Sequence, residues 1–216
     1  MVWRWLSRIL WDRAYRDQPP WEGDDVDPLL IRSLDEREAV GPGRAIDLGC
    51  GSGDVAIELA RRGFSTVGVD WSDRAIARAR ARAAEAGVVI DFHVGDVTDL
   101  KGITGHFDLI VDRLVFMQMP GRRAKAAYAA TVERLAAPGA RVLLHQVLLS
   151  SRPRFPSRAW LARLASVSVL IPGDVQRHFG GAFAVEIAHR EPLTGTNRFG
   201  GAPTEEVVYW LRRAVD

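Results

Sequence analysis

Cysteine and lysine are scarce in this chain of 216 residues, and long hydrophobic runs are missing. Cys50 is the single cysteine, which excludes an intrachain disulfide and agrees with a reducing compartment. Lys101 and Lys125 are the only lysines, so nearly all positive charge is arginine. No apolar run reaches the roughly 18 residues of a membrane span. Arg4 and Arg8 interrupt the N-terminal apolar stretch, which is unlike a signal peptide. We therefore expect a cytoplasmic protein without stable membrane insertion.

The charge balance argues against a nucleic-acid partner. Net charge is only +2 although the pI is about 9.0, because many acidic and basic residues nearly cancel. No basic stripe stands out along the chain. The length and the 47% hydrophobic content suit one globular domain over residues 1–216. We expect a monomer or a homodimer that acts on a small molecule.

The stretch from Arg44 to Asp70 organises the chain. It reads as a buried strand, a glycine turn over 49–53, an amphipathic helix ended by Gly63, and a second strand. Strands and helices go on alternating, with helices expected at 73–86 and 121–136 and strands at 88–94, 107–111 and 141–147. This alternation predicts a Rossmann-like, doubly wound α/β sheet of parallel strands.

The flanks of this core have other compositions. Residues 1–40 hold two expected helices, 3–16 and 28–40, and the first could act as a lid, pack on the core, lie on a membrane surface or bind a partner. Residues 41–150 form the cofactor-binding core. Residues 151–180 read as a substrate-side insertion with a helix over 158–171. Residues 181–216 read as a C-terminal hairpin of two strands.

Four acids follow successive strands and carry the chemistry. Asp47, Asp70, Asp96 and Asp112 stand at or next to the carboxyl ends of strands one to four. In a parallel sheet these ends share one rim, where ligands bind. A row of carboxylates suits a ligand with an amine and several hydroxyls, and it suits a polyanion badly.

A dinucleotide site is the main competing interpretation. Such a site has the spacing G-x-G-x-x-G, which brings a pyrophosphate to a helix N-terminus. Here Gly49 and Gly51 are followed by Asp54 at the third glycine position, and an acid there repels phosphate. An NAD-linked oxidoreductase and a cofactor-binding protein without transfer activity remain the alternatives.

The segment Asp47-Leu48-Gly49-Cys50-Gly51-Ser52-Gly53 resembles the first motif of class I S-adenosylmethionine-dependent methyltransferases, and the later acids match its next motifs. The resemblance covers about residues 40–150. It implies a seven-stranded sheet with the last strand antiparallel and S-adenosylmethionine as cofactor. It also implies a set of cofactor-binding residues: Asp47, Gly49, Cys50, Gly51 and Gly53 for the methionine part, Asp70 for the ribose, Trp71, Asp96 and Val97 for the adenine, and Asp112 beside the sulfonium.

The segments around 11–28 and 107–116 more narrowly resemble small-molecule methyltransferases of the thiopurine-methyltransferase-like and tellurite-resistance-like groups. In those groups N-terminal aromatics, here Trp11 and Trp21, close over cofactor and substrate. The groups usually have glycine where this chain has Leu114.

Methyl transfer needs mainly in-line alignment of a nucleophile, because the methyl group is already activated. A base is needed only for an acceptor that is protonated at the working pH. His145 is the first candidate base and His178 the second, while Arg113 could orient an anionic acceptor or pair with Asp112. We predict a catalytic set of His145, Arg113 and Asp112, and no metal. Segments 3–21, 113–119 and 151–178 supply aromatics and methionines, which favour a flat acceptor methylated on O, S or N.

Overall fold

A computed structural model describes residues 2–16, 19, 26–149, 170–193 and 204–215 of the chain. Seven strands form one sheet, in the order β3-β2-β1-β4-β5-β7-β6. The strands are β1 (Arg44–Leu48), β2 (Ser65–Asp70), β3 (Asp91–Val94), β4 (Phe107–Arg113), β5 (Ala136–Leu149), β6 (Phe183–Pro192) and β7 (Thr204–Arg213).

The expected architecture is confirmed. Strands β1 to β5 pair in parallel, and β7 is antiparallel to both of its neighbours, β5 and β6. The helices are α1 (Val2–Ala14), α2 (Pro28–Glu36), α3 (Asp54–Arg61), α4 (Asp73–Glu85), α5 (Gly121–Leu135) and α6 (Asp174–Phe179), with a 3₁₀ turn at Phe116–Gln118. Among the described residues no helix has the length and apolar character needed to cross a membrane.

Alternation along the strands gives the sheet two buried faces. Leu109 and Val111 of β4 pack with α2 and α3, whereas Ile110 packs with α5 and α6. A third cluster joins α3 and α4 over Phe92 of β3. The rim at the carboxyl ends of β1 to β4 therefore lies between helices on both faces of the sheet.

Three expected boundaries differ from the structure by three residues or more. Helix α2 ends at Glu36 rather than 40, because Glu38 takes a left-handed backbone with φ 46°. Strand β3 begins at Asp91 rather than 88, and Val89 is 95% exposed. Strand β5 begins at Ala136, ahead of Pro138, because Ala136 already pairs with Phe107. The helix expected over 158–171 lies almost wholly outside the described residues.

Candidate active site

The glycine turn after β1 lies against the end of β2. The backbone N–H groups of Gly49 and Cys50 both donate to the carbonyl oxygen of Val69, at 2.7 and 2.9 Å. Gly49 has φ 74°, and a Cβ at this position would collide with the Val115 side chain. The turn therefore needs glycine here for its conformation and for the close approach of the loop after β4.

Asp70 ends β2 and ties the turn to the start of α4. Its Oδ2 accepts the Gly51 N–H at 3.0 Å and its Oδ1 accepts the Ser72 N–H at 2.9 Å. Each carboxylate oxygen carries more than one lone pair. The backbone donors thus hold the buried Asp70 in one orientation at the end of β2.

Asp47, the last but one residue of β1, is the most perturbed carboxyl of the rim. It is 1% exposed, and its Oδ2 has no hydrogen-bond partner among the described residues. Burial raises the pKa of Asp47 to about 8, and the negative charges of Asp112, Asp54 and Asp70 add to the effect. A buried carboxyl among other acids, with one oxygen lacking a hydrogen-bond partner among the described residues, suits a cationic group of a ligand.

Asp112 at the end of β4 anchors the loop that follows it. Its two oxygens accept the N–H groups of Val115 at 2.7 Å and Phe116 at 2.9 Å, the Tyr128 hydroxyl at 2.6 Å and the Gln146 amide at 2.8 Å. Burial raises the pKa of Asp112 to about 6, although these hydrogen bonds oppose the shift. Asp112 therefore holds the 3₁₀ turn in place, a role that the sequence pattern does not predict.

Asp96 follows β3 and shapes the adjoining loop. Its Oδ1 accepts both the backbone N–H of Thr98 at 2.8 Å and the Thr98 hydroxyl at 2.7 Å, which forms an Asx turn. Val97 is buried beside it, and the Gly95 N–H donates to the carbonyl of Asp70 at 2.8 Å. The loop after β3 is thus fixed next to the end of β2.

The electrostatic argument drawn from Asp54 is wrong in one respect. The Arg82 guanidinium of α4 forms an ion pair with the Asp54 carboxylate and also donates to the Ser52 hydroxyl at 2.9 Å. The charge of Asp54 is therefore largely compensated, so repulsion of a phosphate at the start of α3 is weaker than the sequence suggests.

Helix α1 docks beside the rim through Asp12. Ser72, the N-cap of α4, donates its hydroxyl to Asp12 at 2.8 Å, and the Arg74 Nε donates at 2.9 Å. This contact places the half-buried Trp11 and the buried Tyr15 near the α4 end of the site. Trp21, expected to join them, lies outside the described residues.

A second polar cluster occupies the rim at β4, β5 and β7. His145 is 1% exposed, and neither ring nitrogen has a hydrogen-bond partner in the described part of the chain. Arg113 Nη2 lies 3.7 Å from Asp27 Oδ2, so Arg113 pairs with Asp27 and not with Asp112. Glu206 of β7 completes the group.

Burial is the main reason why the imidazole of this cluster resists protonation. Burial lowers the pKa of His145 to about 4; the Asp27 charge opposes this shift and the Arg113 charge adds to it. Burial and the Asp27 charge raise the pKa of Glu206. His145 is thus a neutral imidazole at pH 7, with two free nitrogen positions.

Asp27 and Glu206 were missed by sequence reasoning. Asp27 reads as the cap of α2, which it also is, since its Oδ1 accepts the Leu29 N–H at 2.9 Å. Glu206 comes into position because it pairs across from Val147, two residues beyond His145, in the antiparallel register of β5 and β7. That register, combined with the alternation of the strands, is the signal that could have found it.

Several other predicted residues have a packing role. Phe116, Met117 and Met119 are buried in the core. Phe116 stacks edge-on against Phe179 at 5.0 Å and His178 at 5.7 Å, and the His178 Nδ1 bonds to the Asp174 carbonyl at 2.8 Å. The Cys50 side chain is buried in one cluster with Phe92 and Ala79, which is a packing role. Trp71 is half-buried directly after Asp70.

Comparison with known proteins agrees with this geometry. Residues 45–139 match the methyltransferase domain family. A 2-heptyl-1-hydroxyquinolin-4(1H)-one methyltransferase of Mycobacteroides abscessus is 33% identical over 140 residues, which are 64% of this chain and 59% of that protein. The chain thus spans about three fifths of the length of this curated relative.

Solved structures share the fold over nearly the whole chain. One comes from work on the conversion of a disulfide bond into a thioacetal group during echinomycin biosynthesis. Its TM-score is 0.74 and its identity 25%, and the match covers 97% of this chain and 93% of that chain. Another is the N-methyltransferase NodS of Bradyrhizobium japonicum in complex with S-adenosyl-L-homocysteine. Its TM-score is 0.69 and its identity 20%, and the match covers 97% of this chain and 98% of that chain. Residues 45–139 are therefore similar to a methyltransferase domain, and the chain has the fold of S-adenosylmethionine-dependent methyltransferases.

Proposed function

We propose that this protein is an S-adenosylmethionine-dependent methyltransferase that methylates O, S or N of a small aromatic or heteroaromatic acceptor. One carboxyl carries the proposal: the buried Asp47 beside the glycine turn, with an oxygen that no described residue occupies. A cationic amine or sulfonium would compensate the crowded negative charge of Asp47, Asp112 and Asp70. The phosphates of a dinucleotide would increase it.

The rim offers groups for each part of this cofactor. Asp47 and the backbone of the glycine turn would hold the methionine part. Asp70, oriented by the N–H groups of Gly51 and Ser72, would accept two ribose hydroxyls in a charge-assisted contact. Trp71, Asp96 and Val97 would border the adenine. The docking of α1 through Asp12 supports a lid over this end of the site, with Trp11 in it.

S-adenosylmethionine, when bound, supplies a methyl group already activated by the positive sulfur. The residues of this chain then need to align an acceptor lone pair with the methyl carbon and exclude water. The acceptor–carbon bond forms as the carbon–sulfur bond breaks, the electron pair stays on sulfur, and a protonated acceptor loses its proton. The neutral His145 could take that proton, and Arg113 could hold an anionic acceptor.

The acceptor class is the finer part of the proposal. The narrower resemblance to thiopurine-methyltransferase-like and tellurite-resistance-like proteins favours a small molecule, and the relative named above acts on a hydroxyquinolone. Residues 151–169, which would close the acceptor side, lie outside the described residues. We also propose that residues 1–40 serve as the lid and 151–180 as the acceptor wall of a single cytoplasmic domain.

Titration calorimetry with two ligands tests the cofactor. We expect S-adenosylhomocysteine to bind and NAD to show no heat under the same conditions. NAD is a suitable comparison ligand, because Arg82 compensates the charge of Asp54 and so weakens its repulsion of phosphate. Binding of NAD without S-adenosylhomocysteine would overturn the proposal.

A methyl-transfer assay with thiol, phenol and heteroaromatic acceptors tests the activity. We expect methylated product with at least one of these classes. Cofactor binding without transfer to any acceptor would favour a non-catalytic binding protein.

A further inference from the structure

The cluster of Asp27, His145 and Glu206 contains three potential metal ligands from three separate elements. One carboxylate oxygen of each acid and one His145 ring nitrogen all lie within 4.8 Å of one another. Asp27 caps α2, His145 belongs to β5 and Glu206 to β7. The group lies at the same rim of the sheet as the proposed cofactor site, because β4 and β5 pair in parallel at Arg113 and His145.

His145 is the independent sign of a ligand. A side chain that is 99% buried normally has its polar atoms paired, yet both ring nitrogens lack a partner among the described residues. A purely structural histidine at this depth would donate its N–H to a carbonyl or carboxylate. Here the ring instead faces two acid side chains at ligand spacing.

We propose that Asp27, His145 and Glu206 bind one divalent transition-metal ion, such as Zn²⁺, through an imidazole nitrogen and two carboxylates. Ligand atoms of a tetrahedral site stand about 3.4 Å apart at metal–ligand distances of about 2.1 Å. Contraction from at most 4.8 Å is within reach of side-chain rotation. The mixed nitrogen and oxygen set favours zinc, cobalt or iron over magnesium, which prefers oxygen alone.

Charge is compatible with such an ion. With both acids ionised, Arg113 positive and His145 neutral, the four side chains sum to −1, and a dication brings the site to +1. Arg113 lies 3.7 Å from Asp27 Oδ2, a spacing that allows that oxygen to face an ion while its charge stays compensated on the other side. A metal-bound hydroxide or an anionic acceptor would bring the site to neutrality.

Three protein ligands leave a coordination position open, which is typical of catalytic rather than structural zinc sites. If the proposed methyltransferase activity holds, a phenol or thiol acceptor would bind the ion there and become the nucleophile. Its proton would then go to solvent, because a His145 that binds the ion could not act as the base. The metal site itself does not depend on that activity, since binding can be measured without turnover.

Metal titration of the full chain tests the site. After removal of metals with a chelator, we expect calorimetry to show one Zn²⁺ per chain, and Co²⁺ to give the visible absorption of an ordered nitrogen–oxygen site. His145→Ala and Glu206→Gln should each weaken Zn²⁺ binding at least about 100-fold. Mg²⁺ should bind far more weakly than Zn²⁺.

Glu205→Gln is the matched control. Glu205 neighbours Glu206 on β7 but accepts the Arg190 Nε at 2.8 Å, so this change should leave Zn²⁺ affinity intact. Glu206 is only half-buried, which keeps Glu206→Gln foldable even if His145→Ala is not; thermal unfolding checks both. Absence of a stoichiometric site for Zn²⁺ and Co²⁺, or binding that survives both ligand substitutions, would overturn the proposal.

The same samples are titrated with S-adenosylhomocysteine. Bound S-adenosylhomocysteine without bound metal rejects the metal site alone. Bound metal without bound S-adenosylhomocysteine rejects the proposed function alone.

Discussion

The pKa of Asp47 predicts how cofactor binding depends on pH. Burial and the charges of Asp112, Asp54 and Asp70 raise this pKa to about 8 in the free protein. A ligand ammonium group beside Asp47 requires the ionised carboxylate. Binding of S-adenosylhomocysteine should therefore displace a proton from Asp47, and affinity should rise with pH up to about 8.

The size of the effect follows from the ionised fraction. With a pKa of about 8, that fraction grows from about 3% at pH 6.5 to about 50% at pH 8. If the bound form stays ionised, affinity increases about 16-fold over this range, or ~1.6 kcal/mol. Asp112, with a pKa of about 6, changes charge mainly below this window.

Calorimetry at pH 6.5, 7, 7.5 and 8, in two buffers of different ionisation enthalpy, measures affinity and proton release together. Asp47→Asn keeps the shape of the side chain and should bind weakly with no slope. A flat wild-type affinity, or the wild-type slope in Asp47→Asn, would refute the reasoning. The stability of the free protein gives a second test. Because folding raises the pKa of Asp47 from 3.8 to about 8, the free energy of unfolding falls as the pH rises through this range. Asp47→Asn should therefore unfold at a higher temperature than wild type at pH 8.

Two further predictions concern the contacts around α4. Asp70→Ala should weaken S-adenosylhomocysteine binding at least tenfold, about 1.4 kcal/mol, because a charge-assisted acceptor is lost; unchanged affinity in calorimetry would remove the ribose assignment. Asp12→Ala should release α1 from Ser72 and Arg74 and speed tryptic cleavage within residues 8–16. Arg13→Ala is the control, since Arg13 is exposed on the same helix, and it should leave the other cleavages in that segment at their wild-type rate. Equal cleavage of the two variants would contradict the docking.

The parts predicted from sequence are those set by neighbouring residues. The glycine turn, the acid after β2 and the alternation of strands and helices are local patterns, and the structure contains each of them. The position of Asp47 beside the turn is also local, because Asp47 belongs to the strand that leads into the turn. What the sequence does not show is that Asp47 keeps one oxygen without a partner among the described residues, while Asp112 accepts four hydrogen bonds.

The second cluster could not be predicted because it depends on distant pairings. His145 and Glu206 meet only through the antiparallel register of β5 and β7, and Asp27 arrives with the N-terminus of α2. The alternation of strand residues could have shown that Arg113 and Asp112 do not share a partner. Consecutive strand residues point to opposite faces of the sheet, so these two side chains point away from each other.

Leu114 lies between the two parts of the site, and substitutions at Leu114 can test its backbone conformation. It follows Arg113 with φ 66°, a left-handed conformation that costs a residue with a Cβ about 1–2 kcal/mol. This explains in physical terms why glycine would suit the position. The Leu114 N–H donates to the His145 carbonyl at 2.8 Å, so the loop is held in this conformation.

Comparing Leu114→Gly with Leu114→Ala isolates the backbone term, because both remove the packing of the leucine side chain. We expect the glycine variant to be more stable than the alanine variant by about 1 kcal/mol in denaturant unfolding. At the exposed Val89, which has no left-handed φ, the order should reverse, because glycine there only adds freedom to the unfolded chain. If alanine is the more stable residue at both positions, the loop after β4 does not hold the left-handed conformation, and the positions of Arg113 and Asp112 on either side of it lose their support.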